Sequence, residues 1–184
     1  MPEGRRVTIF FTRYRAFEGT LEGSPRELIT WRGEMEDIKR ILVVSRWTED
    51  CKKAVHYGIG CAKLLNARLT ILQVEHDPLS LRAGALLLPS LRQVEEEYRA
   101  LMAQVKQEVD ALIQKEKAQG LVIKQVVKDA DPVQEILNFV QEEKIDLLIM
   151  AAHDETRMEH VFYGRTNHEI VRRMPCSVFL VKGE

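Results

Sequence analysis

Residues 129–152, "DADPVQEILNFVQEEKIDLLIMAA", decide how this chain folds. Asp131 stands where a helix N-cap belongs, Pro132 at the first helical position, and Gln134 where it closes a capping box. The run "IDLLIMAA" that follows is continuously apolar, as a strand covered on both faces should be. A capped helix running into a doubly covered strand is one turn of an α/β fold, and the rest of the chain is read outward from it.

Upstream, "LVIKQVV" reads as a strand. Before it, residues 91–118 place Leu91, Val94, Tyr98, Leu101, Met102, Val105, Val109, Leu112 and Ile113 at steps of three and four. That spacing predicts one long amphipathic helix, with Gly120 as its stop. Further upstream, "IKRILVVS" and "RLTILQVEH" read as strands. Between them "TEDCKKAVHYGIGCAKLLNA" has Thr48 as N-cap, with Glu49 and Asp50 in the first turn. Its apolar residues Ala54, Val55, Cys61, Ala62 and Leu65 recur at near-helical spacing. Downstream, a loop through "HDETRMEHVFYG" leads to a short helix near residues 165–174 and a last strand, "CSVFLVK". Five strands alternating with four helical segments predict an open parallel sheet with helices on both faces, an α/β doubly wound architecture.

Two segments stand outside this alternation. Residues 1–36 form an N-terminal extension ahead of the domain at 37–184. They hold one strand-like run, "RVTIFFTRY", and a stretch of turn formers, "EGTLEGSPREL". Two readings stand side by side: an arm that adds a strand to a sheet edge, or an overextended reading frame whose true start is Met35. Residues 76–90, "HDPLSLRAGALLLPS", carry Leu79, Leu81, Leu86, Leu87 and Leu88, too many leucines for a solvated loop. They read as a short helix or lid packed on its own domain or a twin subunit. The alternative is an exposed docking patch for a protein partner.

The bulk numbers exclude several classes. The 184 residues are 45% hydrophobic and 30% charged with a net charge of −1, the composition of a soluble globular domain. No basic excess and no aromatic interleaving argue for nucleic acid. No apolar run approaches the ~20 residues that cross a bilayer, and no signal peptide is evident. Three cysteines, Cys51, Cys61 and Cys176, form no CxxC pair, which fits buried thiols in a reducing cytoplasm. Cys51 falls near a helix amino terminus, a position that lowers a thiol pKa. It has no identifiable base partner, so an inert thiol is expected.

Three blocks together resemble the universal stress protein family: "EDIKRILVV", "KDADPVQEILNFVQEEKIDLLIMAAH" and "RRMPCSVFLVK". The resemblance spans residues 36–183. It implies a five-stranded parallel sheet of the Rossmann-like, adenine nucleotide alpha hydrolase-like kind. It also implies a homodimer formed through the last strand, here Val178, Phe179, Leu180 and Val181, whose bare edge would pair with its twin.

The family divides into members that bind ATP and members that do not. ATP-binding members carry a glycine, two residues, a second glycine, nine residues, a third glycine and then Ser or Thr. Here these positions hold Ala151, Asp154, Gly164 and Arg165. After the first strand, where those members have an aspartate and a small residue, Ser45 is followed by Arg46 and Trp47. Asp154 is the severe change. A carboxylate within ~5 Å of a phosphate charge opposes it by about 3 kcal/mol at an effective dielectric near 20. Replacing glycine also removes backbone freedom wherever φ must be positive. ATP is therefore not expected to bind in the usual way.

A remnant anion site is the alternative. Gly164, Arg165 and Thr166 would start a helix whose free N–H groups favour anions, with Ser45 and Arg46 across the crevice. It would hold ATP, AMP or a smaller phosphate ligand. The competing expectation is that Arg165 pairs with Asp154, Glu155 or Glu159. His153, Asp154, Glu159, His160 and His168 are metal-type side chains without the i, i+4 pairing of an HExxH helix, and are expected as solvated histidines and carboxylates with no metal. "GIG" at 58–60 lies inside a helix, so its small residues serve close packing on the sheet.

No nucleophile–base set or acid–base pair emerges, so no enzyme is expected and no cofactor is required. The expectation is a cytoplasmic, dimeric stress-response protein with a degenerate nucleotide site that acts through protein contacts. A nucleotide-responsive binding module is the alternative; ATP hydrolysis is disfavoured.

Overall fold

A computed structural model describes residues 7–10, 17–19, 38–45, 49–75, 89–152 and 159–182. Its strands are β1 (Val7–Phe10), β2 (Phe17–Gly19), β3 (Arg40–Ser45), β4 (Arg68–Glu75), β5 (Ile123–Asp129), β6 (Leu147–Ala152) and β7 (Ser177–Lys182). The helices are α1 (Glu49–Leu65), α2 (Pro89–Ala118), α3 (Pro132–Glu142) and α4 (Glu159–Arg173). The strands form one sheet in the order β2-β1-β7-β6-β3-β4-β5. The five strands from β7 to β5 are parallel to one another, as expected of a doubly wound fold. The segment 76–88, including most of the leucine-rich stretch, lies outside the described residues.

Side-chain alternation along the central strands sorts the core into two layers. Ile41, Val43, Leu69, Ile71, Ile149 and Phe179 face one way, onto Ala54, Val55 and Ile59 of α1 and Val105, Val109 and Ile113 of α2. Leu42, Val44, Leu72, Leu148 and Val178 face the other, onto Ile136, Phe139 and Val140 of α3 and Ile170 of α4. Burying a side chain of this size stabilises by roughly 1.5–3 kcal/mol. Strands covered on both faces account for the unbroken apolar runs in β3 and β6.

Local signals end the elements where expected. Asp131 Oδ1 accepts from the Gln134 backbone N–H at 2.9 Å, and Pro132 opens α3. Gly120, with φ +93°, ends α2, a conformation that glycine adopts without strain. Leu101 of α2 is turned outward and half exposed.

Asp146 fastens the amino end of the sheet. Its Oδ2 accepts from the backbone N–H groups of Lys39 at 3.0 Å and Arg40 at 2.8 Å, and its own N–H donates to Arg40 O at 2.9 Å.

The sheet extends beyond the five strands expected. β1 runs antiparallel along β7, with Ile9 opposite Phe179 and Thr8 opposite Leu180, and β2 pairs antiparallel with β1. The β7 edge, expected to meet a twin subunit, carries β1 along Val178–Val181.

Gly58 sets how closely α1 lies on the sheet. A Cβ built there would sit 2.3 Å from Val43 Cγ2, whereas one at Gly60 would meet nothing within 4 Å. Val43 is fully buried and has no room to retreat. Gly58→Ala is therefore expected to destabilise by about 1–3 kcal/mol. Gly60→Ala should stabilise by about 0.5–1 kcal/mol through helix propensity. Urea unfolding of the two variants checks both signs, and the pair must move in opposite directions.

Candidate functional site

The carboxyl ends of β3 and β6 lie beside each other at the centre of the parallel sheet, where an open α/β fold places its ligand crevice. A small recess there is lined by Val44, Cys51, Ile136, Met150, Ala151, Thr166 and Asn167. Cys51 comes from the first turn of α1, Ala151 from the end of β6, and Thr166 and Asn167 from α4. Asn167 Nδ2 donates to Ala151 O at 2.7 Å and ties α4 to the strand end. Thr166 is buried, at 6% exposure.

The helix expected near residues 165–174 starts earlier than the sequence suggested. α4 begins at Glu159, not near residue 165, so Gly164, Arg165 and Thr166 occupy the sixth to eighth positions of the helix. The N–H groups left over by a helix are those of its first turn; deeper ones are bonded to the carbonyl four residues back. Gly164–Thr166 therefore present no free row of donors to a phosphate. A sequence signal for the earlier start exists: Phe162, Thr166 and Ile170 recur at i, i+4 and i+8, and Glu159 suits a first helical turn.

The other sequence-derived positions divide as follows. Ser45 is the last residue of β3 and fully buried, and Ala151 is at 2% exposure. Arg46, His153, Asp154 and Glu155 lie outside the described residues. Glu159 and His160 open α4 instead of lying in a loop, and His168 is exposed on the same helix. Among the described residues no group of three or more His, Cys, Asp or Glu side chains is placed to hold a metal ion.

One feature near the carboxyl ends of β3 and β4 was not anticipated. Gln73 lies opposite Ser45 in the β3–β4 register, and the alternation that turns Val43 and Ile71 toward α1 and α2 turns both of them the same way. Gln73 is at 3% exposure, and among the described residues neither its Nε2 nor Ser45 Oγ has a hydrogen-bonding partner. Two orphaned polar groups side by side in the interior are costly unless water or a ligand satisfies them. The signal in the sequence was a glutamine within the apolar run "LTILQV".

The thiols are shielded. Burial pushes Cys176 up to about 12, against a backbone hydrogen bond that acts in the opposite direction, and its Sγ donates to Ser177 O at 3.4 Å. Burial also raises Cys61. Cys51, at 3% exposure, lies beneath the first turn of α1.

At the opposite end of the sheet, a recess is bordered by Arg40, Lys144 and Arg173. Arg40 faces Asp146 at 3.7 Å, and Arg173 is engaged by Glu169 at 2.7 Å. Those pairings answer two of its three positive charges.

These features define a doubly wound α/β protein with a ligand-type crevice at the carboxyl ends of its central strands. The chain belongs to the Universal stress protein family, whose model matches residues 37–182. The universal stress protein MJ0577 of Methanocaldococcus jannaschii is 22% identical over 153 residues, covering 78% of this chain and 94% of that protein. A crystal structure of a universal stress protein in complex with cAMP superposes with a TM-score of 0.53 at 18% identity, covering 79% of this chain and 97% of that one. The universal stress protein UspA from Lactobacillus plantarum superposes with a TM-score of 0.52 at 24% identity, covering 78% and 97%. These structural likenesses establish the fold.

Two outcomes follow for the site. Asn167→Ala leaves the Ala151 carbonyl without its side-chain donor and is expected to cost about 1–2 kcal/mol, read as a lowered urea midpoint at unchanged slope. The Cys176 thiol is protonated in both folded and unfolded chains below its ordinary value of 9.0. Above that value only the unfolded chain releases the proton, so this thiol makes stability decline as pH rises from 9 toward 12. Cys176→Ser should flatten that part of the stability profile.

Proposed function

We propose that this chain is a universal stress protein whose crevice does not hold ATP in the family's usual way, and that it acts in stress adaptation through contacts with other proteins. The observation that carries this reading is the start of α4 at Glu159, which places Gly164 and its neighbours inside the helix. Their N–H groups are committed to the helix, so among the described residues Gly164–Thr166 offer a phosphate no free donors. Asp154 and Arg165, where ATP-binding members have glycine and a hydroxyl residue, support the same conclusion on charge and shape. The sequence offers no identifiable nucleophile–base set, and we read the protein as non-catalytic.

A second reading rests on Ser45 and Gln73. Their orphaned buried groups favour a small ligand that needs no triphosphate cradle. AMP or a cyclic nucleotide is of that kind, and the cAMP-bound structure with the same fold makes the comparison worth testing.

Thermal-shift titration with ATP, AMP and cAMP separates the readings, run beside an assay of nucleotide released from the purified protein. A micromolar site at millimolar ligand would add about 4 kcal/mol and move the melting point by several degrees. The expected result is no shift with ATP and no co-purifying nucleotide. A saturating ATP shift at micromolar concentration overturns the proposal. A shift with AMP or cAMP alone, lost in Ser45→Ala or Gln73→Ala, establishes the second reading in its place.

A further inference from the structure

The recess at the amino end of the sheet lies between the carboxyl ends of α3 and α4 and has a volume of about 570 Å³, within the range that takes small ligands. Leu137, Val140, Ile145 and Pro175 give it apolar walls, with Arg40, Lys144 and Arg173 standing among them. Local structure puts each cation there. Arg40 opens β3 and Arg173 closes α4. Lys144 follows the C-cap Glu143 of α3 with φ +50°, and the next residue's N–H, that of Ile145, donates back to Val140 O at 3.0 Å. Glycine is the residue that takes this position without strain, yet a lysine occupies it.

The carboxylates nearby are largely spent. Asp146 Oδ2 accepts two backbone N–H groups, and its Oδ1 meets Arg40 Nη2 only at 3.7 Å, beyond hydrogen-bonding distance. Arg40 Nε is buried and has no acceptor among the described residues. Arg173 shares one oxygen of Glu169 with Arg172, at 2.7 and 2.9 Å. Among the described residues the Lys144 ammonium has neither a hydrogen-bond nor an ion-pair partner. Basic residues at helix ends commonly answer the last carbonyls. That accounts for Arg172 and Arg173 on α4, but not for Arg40, which comes from a strand, nor for the apolar walls between the cations. From this arrangement we infer that the recess is a binding site for an organic oxyanion, a carboxylate or phosphate monoester carried on an apolar body. The site lies at the opposite end of the sheet from the crevice and stands whatever ligand the crevice takes.

Recognition combines two contributions. Guanidinium forks match the oxygens of a carboxylate or phosphate, and the lysine ammonium adds a point charge. The apolar body gains by leaving water against Leu137, Val140, Ile145 and Pro175. Charge at an open recess is screened by salt, so the head group alone is held weakly. A neutral molecule with the same body leaves the cations unanswered. The site therefore selects for both parts on one molecule.

The test titrates the full chain, isotope-labelled for amide NMR, with para-butylbenzoate and para-butylphenyl phosphate. Both probes are expected to shift the amides of residues 137–146 and 173–174 and to saturate below about 1 mM, while those of Ala151 and Asn167 in the crevice stay in place. Inorganic phosphate and para-butylbenzyl alcohol should bind at least about tenfold more weakly. Lys144→Gly should weaken both probes by roughly tenfold, and because glycine suits φ +50° the loss is not one of folding. Lys144→Arg should keep the binding. Sedimentation with phosphatidylglycerol vesicles forms the membrane arm, where no binding is expected. The inference is wrong if neither probe saturates at these amides, or if Lys144→Gly combined with Arg173→Ala binds them as the full chain does. Binding to the vesicles without binding to the soluble probes overturns it as well.

Discussion

The close approach of Gly58 to Val43 is the contact on which the remaining architecture depends. Because residue 58 has no side chain, α1 lies low enough to touch β3, β4, β6 and β7. A helix in contact with four strands aligns the middle of the sheet as one body. It also brings Cys51 at its amino end against the ends of β3 and β6, so one wall of the crevice is set by a packing distance deep in the core. Ion pairs between α1 and α2, Lys52 with Glu108 and Lys63 with Glu116, hold the neighbouring helix in the same layer.

The position of Gly164 shows why counting glycines is an incomplete guide to the local backbone. Gly164 is present at the position where the family pattern requires it, yet a glycine contributes to a cradle only when its N–H is free. In this chain the residue is part of a regular helix, and Asn167 from the next turn bonds to the end of β6. The helix has drawn the loop glycine into its own hydrogen-bond ladder. Near the carboxyl ends of β3 and β4, Ser45 lies beside Gln73, a buried pair suited to a hydrogen-bonding group.

The parts of this structure that were legible in the sequence are those with local causes. The cap at Asp131, the stop at Gly120, the apolar run 147–152 and the small residues of α1 act over a few positions and mean the same thing in any context. The early start of α4 had such a signal, but it was outweighed by a family spacing that assigned those residues to a loop. Asp146 was missed for a different reason. Its partners are the N–H groups of Lys39 and Arg40, more than a hundred positions earlier in the chain, and no pattern around "KIDLL" announces them. Gln73 and Ser45 become neighbours only through strand register, which is a property of the sheet and not of either segment. The same holds for the partner of β7: a strand-like run at residues 6–14 was visible, but not which edge it would join.

That pairing has a consequence for the order in which the molecule takes shape. In chain order β1 precedes the other strands and β7 follows them. During synthesis the first strand must therefore wait, without its neighbour, while the intervening α/β units form on more local contacts. Joining them closes a loop around nearly the whole domain, and closure of this kind is entropically slow. The seam between the earliest and latest strands is thus the natural last step of assembly and the first place to part when the structure loosens.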